Sequence, residues 1–92
     1  MKAENETKVR YIKILSDNLP VFRAKLSYTQ QDLGDRIGVS RSTIALIENN
    51  KREMTWNTFL SLMYLFTHND DTNQLLSVFG VSTQELDNLL FL

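Results

Sequence analysis

The chain has 92 residues and a formal net charge of −1, a length that allows one domain with a single modest core. Apolar residues make up 42% and charged residues 23%, which excludes a disordered or collagen-like chain. With no cysteine and one histidine, the sequence offers no disulfide framework, thiol nucleophile or two-histidine metal site. No nucleophile–base pair or phosphate-cradling loop is found either, so we expect no enzymatic activity, no metal and no cofactor.

The charges are divided unevenly along the chain. Residues 1–52 contain all ten Lys and Arg against six Asp and Glu, a balance of +4. Residues 53–92 contain five acids and no Lys or Arg, a balance of −5. The net charge alone argues against a nucleic-acid-binding domain, because such domains are usually basic. The split instead indicates two surfaces with different tasks.

Helices are favoured throughout, because three glycines and one proline provide too few turns for a strand-rich fold. In residues 1–16, apolar side chains recur at a spacing of three and predict a short helical extension, although an alternating apolar pattern leaves a strand possible. A second helix is expected to begin at Asp17 or Asn18, with Pro20 in its first turn, where the missing N–H costs little.

Residues 30–49 contain two short helices joined by a tight turn. Thr29 is the predicted N-cap of the first, Gly38 ends it in a left-handed conformation, and Ser40 caps the second. This layout is typical of a helix-turn-helix, whose second helix can enter the major groove of DNA. Gly34, in the middle of the first helix, is costly unless a neighbouring segment needs the space of the missing side chain.

The second of these helices has two distinct faces. At 100° per residue, Ile44 and Ile47 mark its buried side. The residues on the opposite side are Ser42, Ala45, Leu46 and Asn49. Arg41 lies to the side, at the N-terminal end that reaches bases in proteins of this layout.

The C-terminal part contains more apolar surface than a core of this size needs. Thr55 is expected to cap a helix that is apolar on nearly all sides between Trp56 and Phe66. Residues 69–92 form an acidic, leucine-rich extension, in which Ser82 and Glu85 predict a capping box. We therefore expect a homodimer interface in this part. Its candidate residues are Trp56, Leu86, Leu89, Leu90, Phe91 and Leu92.

From Asn18 to Phe66 the sequence resembles the lambda-repressor-like, or Cro/XRE, helix-turn-helix DNA-binding domains. The resemblance is carried by Leu19, Phe22, Arg23, Thr29, Gln30, Leu33, Gly38, Val39, Ser40, Ser42, Thr43, Ile44, Ile47, Glu48, Lys51, Arg52 and Thr55. Gly34, Asn50 and Met54 depart from the family pattern, in which Ala, Gly and Pro are usual. The resemblance implies an all-α bundle of five core helices. Here it would occupy residues 17–68, with residues 1–16 and 69–92 as helical extensions.

The resemblance also implies roles for individual residues. Gln30 would bind a phosphate at the N-terminus of the first motif helix. The residues that would face bases are Arg41, Ser42 and Leu46, and those near the DNA backbone are Ser40 and Thr43. The loop residues that would hold phosphates are Asn49, Asn50, Lys51 and Arg52. Arg23 and Glu48 would form an internal ion pair.

Together these observations predict a cytoplasmic, repressor-like regulator that binds double-stranded DNA as a dimer. One helix buries too little for strong specificity, so we expect residues 40–49 of two copies to read a pseudo-palindromic operator. The alternative is an antitoxin-type or partner-regulated interaction module with weak DNA binding, and a regulatory protein partner fits this alternative. No membrane association is expected, because the longest apolar run, residues 59–66, is too short to span a bilayer.

Overall fold

The computed structural model describes residues 2–91, with side chains described from residue 5 onward. Within that range the chain forms six helices and no strand, which confirms the expected all-α fold. The helices are α1 (Lys2–Leu26), α2 (Gln30–Ile37), α3 (Arg41–Glu48), α4 (Trp56–Thr67), α5 (Asp70–Val78) and α6 (Thr83–Phe91). None of the helices in this range is long and apolar enough to cross a membrane.

Helix α1 is one continuous helix of 25 residues, so the expected helix start at Asp17 or Asn18 is wrong. Pro20 lies inside the helix, where the loss of an N–H donor and the ring clash cost about 3 kcal/mol. The continuous helix is favoured because its buried face extends on both sides of the proline. That face consists of Tyr11, Leu15, Leu19 and Phe22, all fully buried.

The core lies between α1 and the helices that pack against it, α3, α4 and α5. Phe22 stacks on Phe66 of α4 with ring centroids 4.7 Å apart. Leu33 from α2 and Ile44 from α3 are also fully buried and fix the two motif helices to this core.

Helix α4 uses most of its apolar surface inside the same chain. Phe59, Leu62, Met63 and Phe66 are buried, because α1, α2 and α5 all pack on this helix. The expectation that α4 has apolar surface left over for an interface is therefore wrong for these four residues. Trp56 is half-buried and stacks on Phe59 with ring centroids 4.9 Å apart.

Four of the described helices end with a residue in the left-handed conformation. These residues are Ser27 (φ 57°), Gly38 (φ 78°), Asn50 (φ 58°) and Gly80 (φ 90°). At each end the next N–H returns to a carbonyl inside the helix, as from Tyr28 to Arg23 over 3.0 Å and from Lys51 to Leu46 over 2.9 Å. This is the Schellman arrangement, which satisfies carbonyls that a helix end would otherwise leave free.

Helix α6 is attached to α1 through Tyr11. The Ser82 hydroxyl accepts a hydrogen bond from the Glu85 N–H over 3.1 Å, as a cap does. In the predicted capping box, the Glu85 carboxylate would accept the Ser82 N–H in return. Instead the Ser82 N–H donates to the Tyr11 hydroxyl over 3.2 Å, and that hydroxyl donates to Glu85. Arg10 also donates to Glu85, over 3.1 Å.

Candidate nucleic-acid interface

The turn between α2 and α3 is built around Gly34. A β-carbon at this position would lie 2.5 Å from the carbonyl oxygen of Val39, which is closer than side chains tolerate. The Gly34 carbonyl in turn accepts hydrogen bonds from the N–H groups of Gly38 (2.8 Å) and Val39 (3.0 Å). Gly38 has a φ of 78°, in the left-handed region that favours glycine. This close approach explains why a glycine is found inside α2. It also brings the turn and the start of α3 tightly against α2.

The N-terminus of α2 is capped by two reciprocal hydrogen bonds. Thr29 accepts a hydrogen bond from the Asp32 N–H over 3.0 Å, and the Asp32 carboxylate accepts one from the Thr29 N–H over 3.0 Å. These bonds lower the pKa of the Asp32 carboxyl below its ordinary value, with the backbone bond contributing most. The N-cap predicted at Thr29 is therefore present, and its two reciprocal bonds with Asp32 form a capping box that fixes the start of the first motif helix.

Helix α3 is capped by Ser40, whose hydroxyl accepts the N–H of Thr43 over 3.1 Å. The two hydroxyl groups are 2.9 Å apart. The guanidinium of Arg52, from the loop after α3, lies 3.4 Å from the Thr43 hydroxyl. A loop cation is thereby placed next to the first turn of α3, although the two residues are nine positions apart.

The two faces of α3 are those expected from its periodicity, except that Ala45, expected on the outward side, is half-buried. Ile44 and Ile47 are buried, while Arg41, Ser42 and Asn49 are exposed. Leu46 also faces solvent, with 38% of its surface accessible. Thr43 and Ala45 are half-buried at the edges of the helix. The outward face therefore presents a guanidinium, a hydroxyl, an amide and one apolar side chain.

The loop after α3 continues this exposed surface. Asn49 caps the end of α3, and Asn50 adopts the left-handed conformation that turns the chain. Lys51 and Arg52 follow, and both are exposed. The loop thus carries two adjacent cations at the C-terminal end of the helix, on a backbone held by the hydrogen bond from Lys51 to Leu46.

Arg23 and Glu48, the residues expected to pair, form an ion pair that joins α1 to α3. Arg23 donates to Glu48 through Nε over 2.7 Å and through Nη2 over 3.0 Å. Its Nη1 donates to the carbonyl of Tyr28 over 3.0 Å. The Glu48 side chain is only 6% exposed, and its hydrogen bonds raise the pKa of Arg23 further above its usual range.

Gln30, the first residue of α2, belongs to the same network. Its Nε2 donates to Oε1 of Glu48 over 3.0 Å. The family resemblance implied a phosphate for Gln30 and an ion pair of Glu48 with Arg23, but it gave no sign of a bond between Gln30 and Glu48. Only the crossing of α2 and α3 brings residues 18 positions apart into contact.

The structure places the expected dimer residues in several environments. Leu86 is 6% exposed and belongs to the core of its own chain, so its assignment to a dimer interface is wrong. It is buried because the contact of α6 with α1 turns this side of α6 inward. Leu89 is half-buried, whereas Leu90 and Phe91 are 41% and 79% exposed. Leu92 lies outside the described residues.

A short helix, a tight turn and a second helix with a polar outward face define a helix-turn-helix protein. Residues 22–55, from the buried face of α1 to the cap of α4, match the helix-turn-helix family model. Neither the curated proteins nor the solved structures contain a match. The family match confirms the resemblance of residues 22–55 to the lambda-repressor-like, Cro/XRE, helix-turn-helix domains. Members of this family are DNA-binding regulators, and the match supports DNA as the partner.

Proposed function

We propose that the protein is a sequence-specific regulator of transcription, repressor-like, that reads the major groove of double-stranded DNA with α3. The observation that carries this proposal is the outward face of α3, where Arg41, Ser42, Leu46 and Asn49 are all exposed. Arginine pairs with guanine through two hydrogen bonds, and an apolar side chain contacts the methyl group of thymine. A short helix with these groups on its exposed face has the chemistry that base recognition needs.

The cations around α3 supply the attraction to the DNA backbone. In our proposal Lys51 and Arg52 hold phosphates from the loop, and Asn49 and Asn50 lie beside them. Gln30 binds a phosphate at the N-terminus of α2, while Ser40 and Thr43 lie near the sugar-phosphate backbone. Most of the acids after residue 52 lie on α5 and α6, outside the segment that matches the family model. This separation explains how a chain of net charge −1 can serve as a DNA-binding protein.

We further propose that the protein acts as a homodimer in the cytoplasm. Two copies of α3 reading one pseudo-palindromic operator provide the contact area that a single short helix lacks. Leu90 and Phe91 are the exposed apolar residues of α6, and with Leu89 and Trp56 they remain the proposed interface. The lack of cysteine is in keeping with a reducing compartment.

Selection from a randomised DNA pool tests the proposed function directly. We expect enrichment of two-fold symmetric fragments whose half-sites are about 10 bp apart, which is one turn of the double helix. With six to eight phosphates contacted by the dimer, the slope of log affinity against log salt should lie between about −5 and −7. Failure to enrich any fragment, together with a salt slope near zero, would contradict DNA recognition.

The alternative function is a protein-interaction module with weak DNA binding, of the antitoxin or partner-regulated type. The adjoining Leu90 and Phe91, 41% and 79% exposed on α6, are the observation for it, because neighbouring exposed apolar side chains can bind a partner protein as well as a second copy. The same DNA selection separates the two functions, since an interaction module enriches no symmetric fragment.

A further inference from the structure

An open groove of about 470 Å³ lies between the first half of α1 and the loop that follows α3; we call it the α1–loop groove. Its α1 wall consists of Val9, Ile12, Lys13 and Ser16, and its loop wall is formed by residues 50–54. Val9 and the α1 part of this groove lie outside the segment that matches the family model.

The floor of the groove is apolar. Met54 is buried, Ile12 is half-buried, and Val9 is 67% exposed on the open side. Covering the exposed Val9 with apolar surface would be favourable, because it removes apolar area from water. A DNA phosphate would leave this floor uncovered, because a phosphodiester group is polar on all sides.

The rim of the groove is cationic. Lys13, Lys51 and Arg52 line it, and Glu53 is the one acid among the lining residues. Lys13 donates to Asp17 over 3.0 Å, but both side chains are exposed, and a solvated pair of this kind is worth little. Its ammonium group is therefore available to a carboxylate that arrives from outside.

We propose that the α1–loop groove binds an acidic, apolar segment of a partner protein. The apolar side chains of that segment cover Val9, Ile12 and Met54, and its carboxylates pair with the cations of the rim. Charge complementarity favours an acidic partner, since the lining residues include three cations and one acid, and the exposed Asp17 offsets Lys13 only weakly. The tail of the same chain is held elsewhere, because Glu85 is bonded to Arg10 and Tyr11, which point about 100° and 160° away from Val9 around α1.

The position of the groove makes partner binding exclusive with DNA binding. Lys51 and Arg52 form part of the rim and are also the loop cations of the proposed DNA surface. A carboxylate on these side chains occupies the positions that phosphates would take and adds negative charge next to the DNA backbone. This exclusivity rests on the proposed function, whereas the docking of the segment does not.

Panning a random peptide library against the full chain tests the docking. We expect the enriched peptides to combine Asp or Glu with Leu, Ile or Phe. A synthetic copy of the best peptide should bind about tenfold more weakly to the Val9→Asp and Lys13→Glu variants than to the original protein. Val21→Asp and Lys25→Glu are the matched controls, because both positions are exposed on α1 outside the groove, and they should leave the affinity unchanged.

Each of the other possible results contradicts one part of the inference. If no peptide is enriched, or if the enriched peptides bind the groove variants and the controls equally, the docking site is wrong. If the peptide and the selected DNA fragment bind one molecule together, the exclusivity is wrong. If the original chain sediments as a dimer that Lys13→Glu dissociates, the occupant is a second copy and the partner is wrong. Peptide binding without any DNA binding would sustain the docking and contradict only the proposed function.

Discussion

The side-chain amide of Gln30 donates a hydrogen bond to the carboxylate of Glu48 over 3.0 Å. That carboxylate also accepts two hydrogen bonds from Arg23, so the amide is attached to an ion pair whose acid is almost fully buried. An amide nitrogen has two hydrogens, and the bond to Glu48 leaves the other one for the phosphate that we propose Gln30 binds. Glu48 orients Gln30, and Arg23 neutralises the negative charge of Glu48, which would repel DNA at the proposed surface.

Replacing the charge at the centre of this network should destabilise the fold. Glu48→Gln leaves the guanidinium of Arg23 largely buried without its counter-charge, and we expect the free energy of unfolding to fall by about 2–4 kcal/mol. Urea unfolding followed by circular dichroism measures the loss. Lys13→Gln is the control, because it breaks an exposed ion pair with Asp17 and should cost less than about 0.5 kcal/mol. Equal losses for the two variants would show that the Arg23–Glu48 pair is not a structural tie.

The features that were predicted correctly from the sequence are mostly local. Thr29, Ser40 and Thr55 cap the helices that they were expected to cap, because a cap depends on the three residues that follow it. The two faces of α3 follow in the same way from its periodicity. The capping residues and the Gly38 turn therefore determine most of the helix-turn-helix before any tertiary contact is considered.

The features that were predicted wrongly depend on contacts between distant residues. The helix start at Asp17 is wrong because Tyr11 and Leu15 extend one buried face of α1 across Pro20. Capping residues and a proline do not show the free energy that this burial contributes. The reciprocal bond between Glu85 and Ser82 is replaced by bonds through Tyr11, which lies 71 positions before Ser82. Leu86 was assigned to an interface because a leucine-rich tail does not reveal which of its sides meets α1.

The close approach at Gly34 predicts an unusual response to alanine. Although alanine normally stabilises a helix relative to glycine by up to about 1 kcal/mol, its β-carbon here meets the backbone of Val39 at 2.5 Å. Because a backbone carbonyl cannot move aside cheaply, we expect Gly34→Ala to lower the stability by a net amount of about 1–2 kcal/mol. Thermal unfolding measures the change, and a rise in the melting temperature would contradict the close packing of the turn.

The left-handed residue after α1 offers a stabilising substitution. Ser27 has a φ of 57°, a conformation that costs an ordinary residue about 1–2 kcal/mol and costs glycine very little. We expect Ser27→Gly to raise the free energy of unfolding by about 0.5–1 kcal/mol, after the greater freedom of glycine in the unfolded chain is subtracted. Ser27→Ala keeps the strain and should give no gain. If alanine stabilises as much as glycine, the conformation at this position is not left-handed.

The contact of Tyr11 with α6 predicts a loss of stability at high pH. Burial, followed by the hydrogen bond to Glu85, raises the pKa of the Tyr11 phenol above its ordinary value of 10.0. The folded chain thus holds this proton more tightly than the unfolded chain does. The resulting stability is fully present below pH 10 and is lost as the pH rises through the raised pKa.

Tyr11→Phe separates this effect from general alkaline unfolding. At neutral pH the variant should be about 1–2 kcal/mol less stable, because Glu85 and the Ser82 N–H lose their shared partner. Above pH 10 its stability should decrease less steeply than that of the original chain. Urea titrations between neutral pH and about pH 11 provide the comparison. Parallel curves for the two proteins would mean that Tyr11 does not titrate abnormally.

Two substitutions on the proposed DNA surface should have different effects. Arg41 lies at the N-terminal end of α3. Arg41→Ala should therefore weaken binding to a selected operator by about 1–3 kcal/mol and weaken binding to random DNA much less. Lys51 lies in the loop, so Lys51→Ala should weaken both kinds of DNA by similar factors and reduce the salt slope by about 1 per subunit. Arg10→Ala, which removes a cation bonded to Glu85 on another side of α1, should leave DNA affinity unchanged. Fluorescence anisotropy at several salt concentrations measures all three, and an unchanged ratio of specific to random affinity for Arg41→Ala would remove it from base reading.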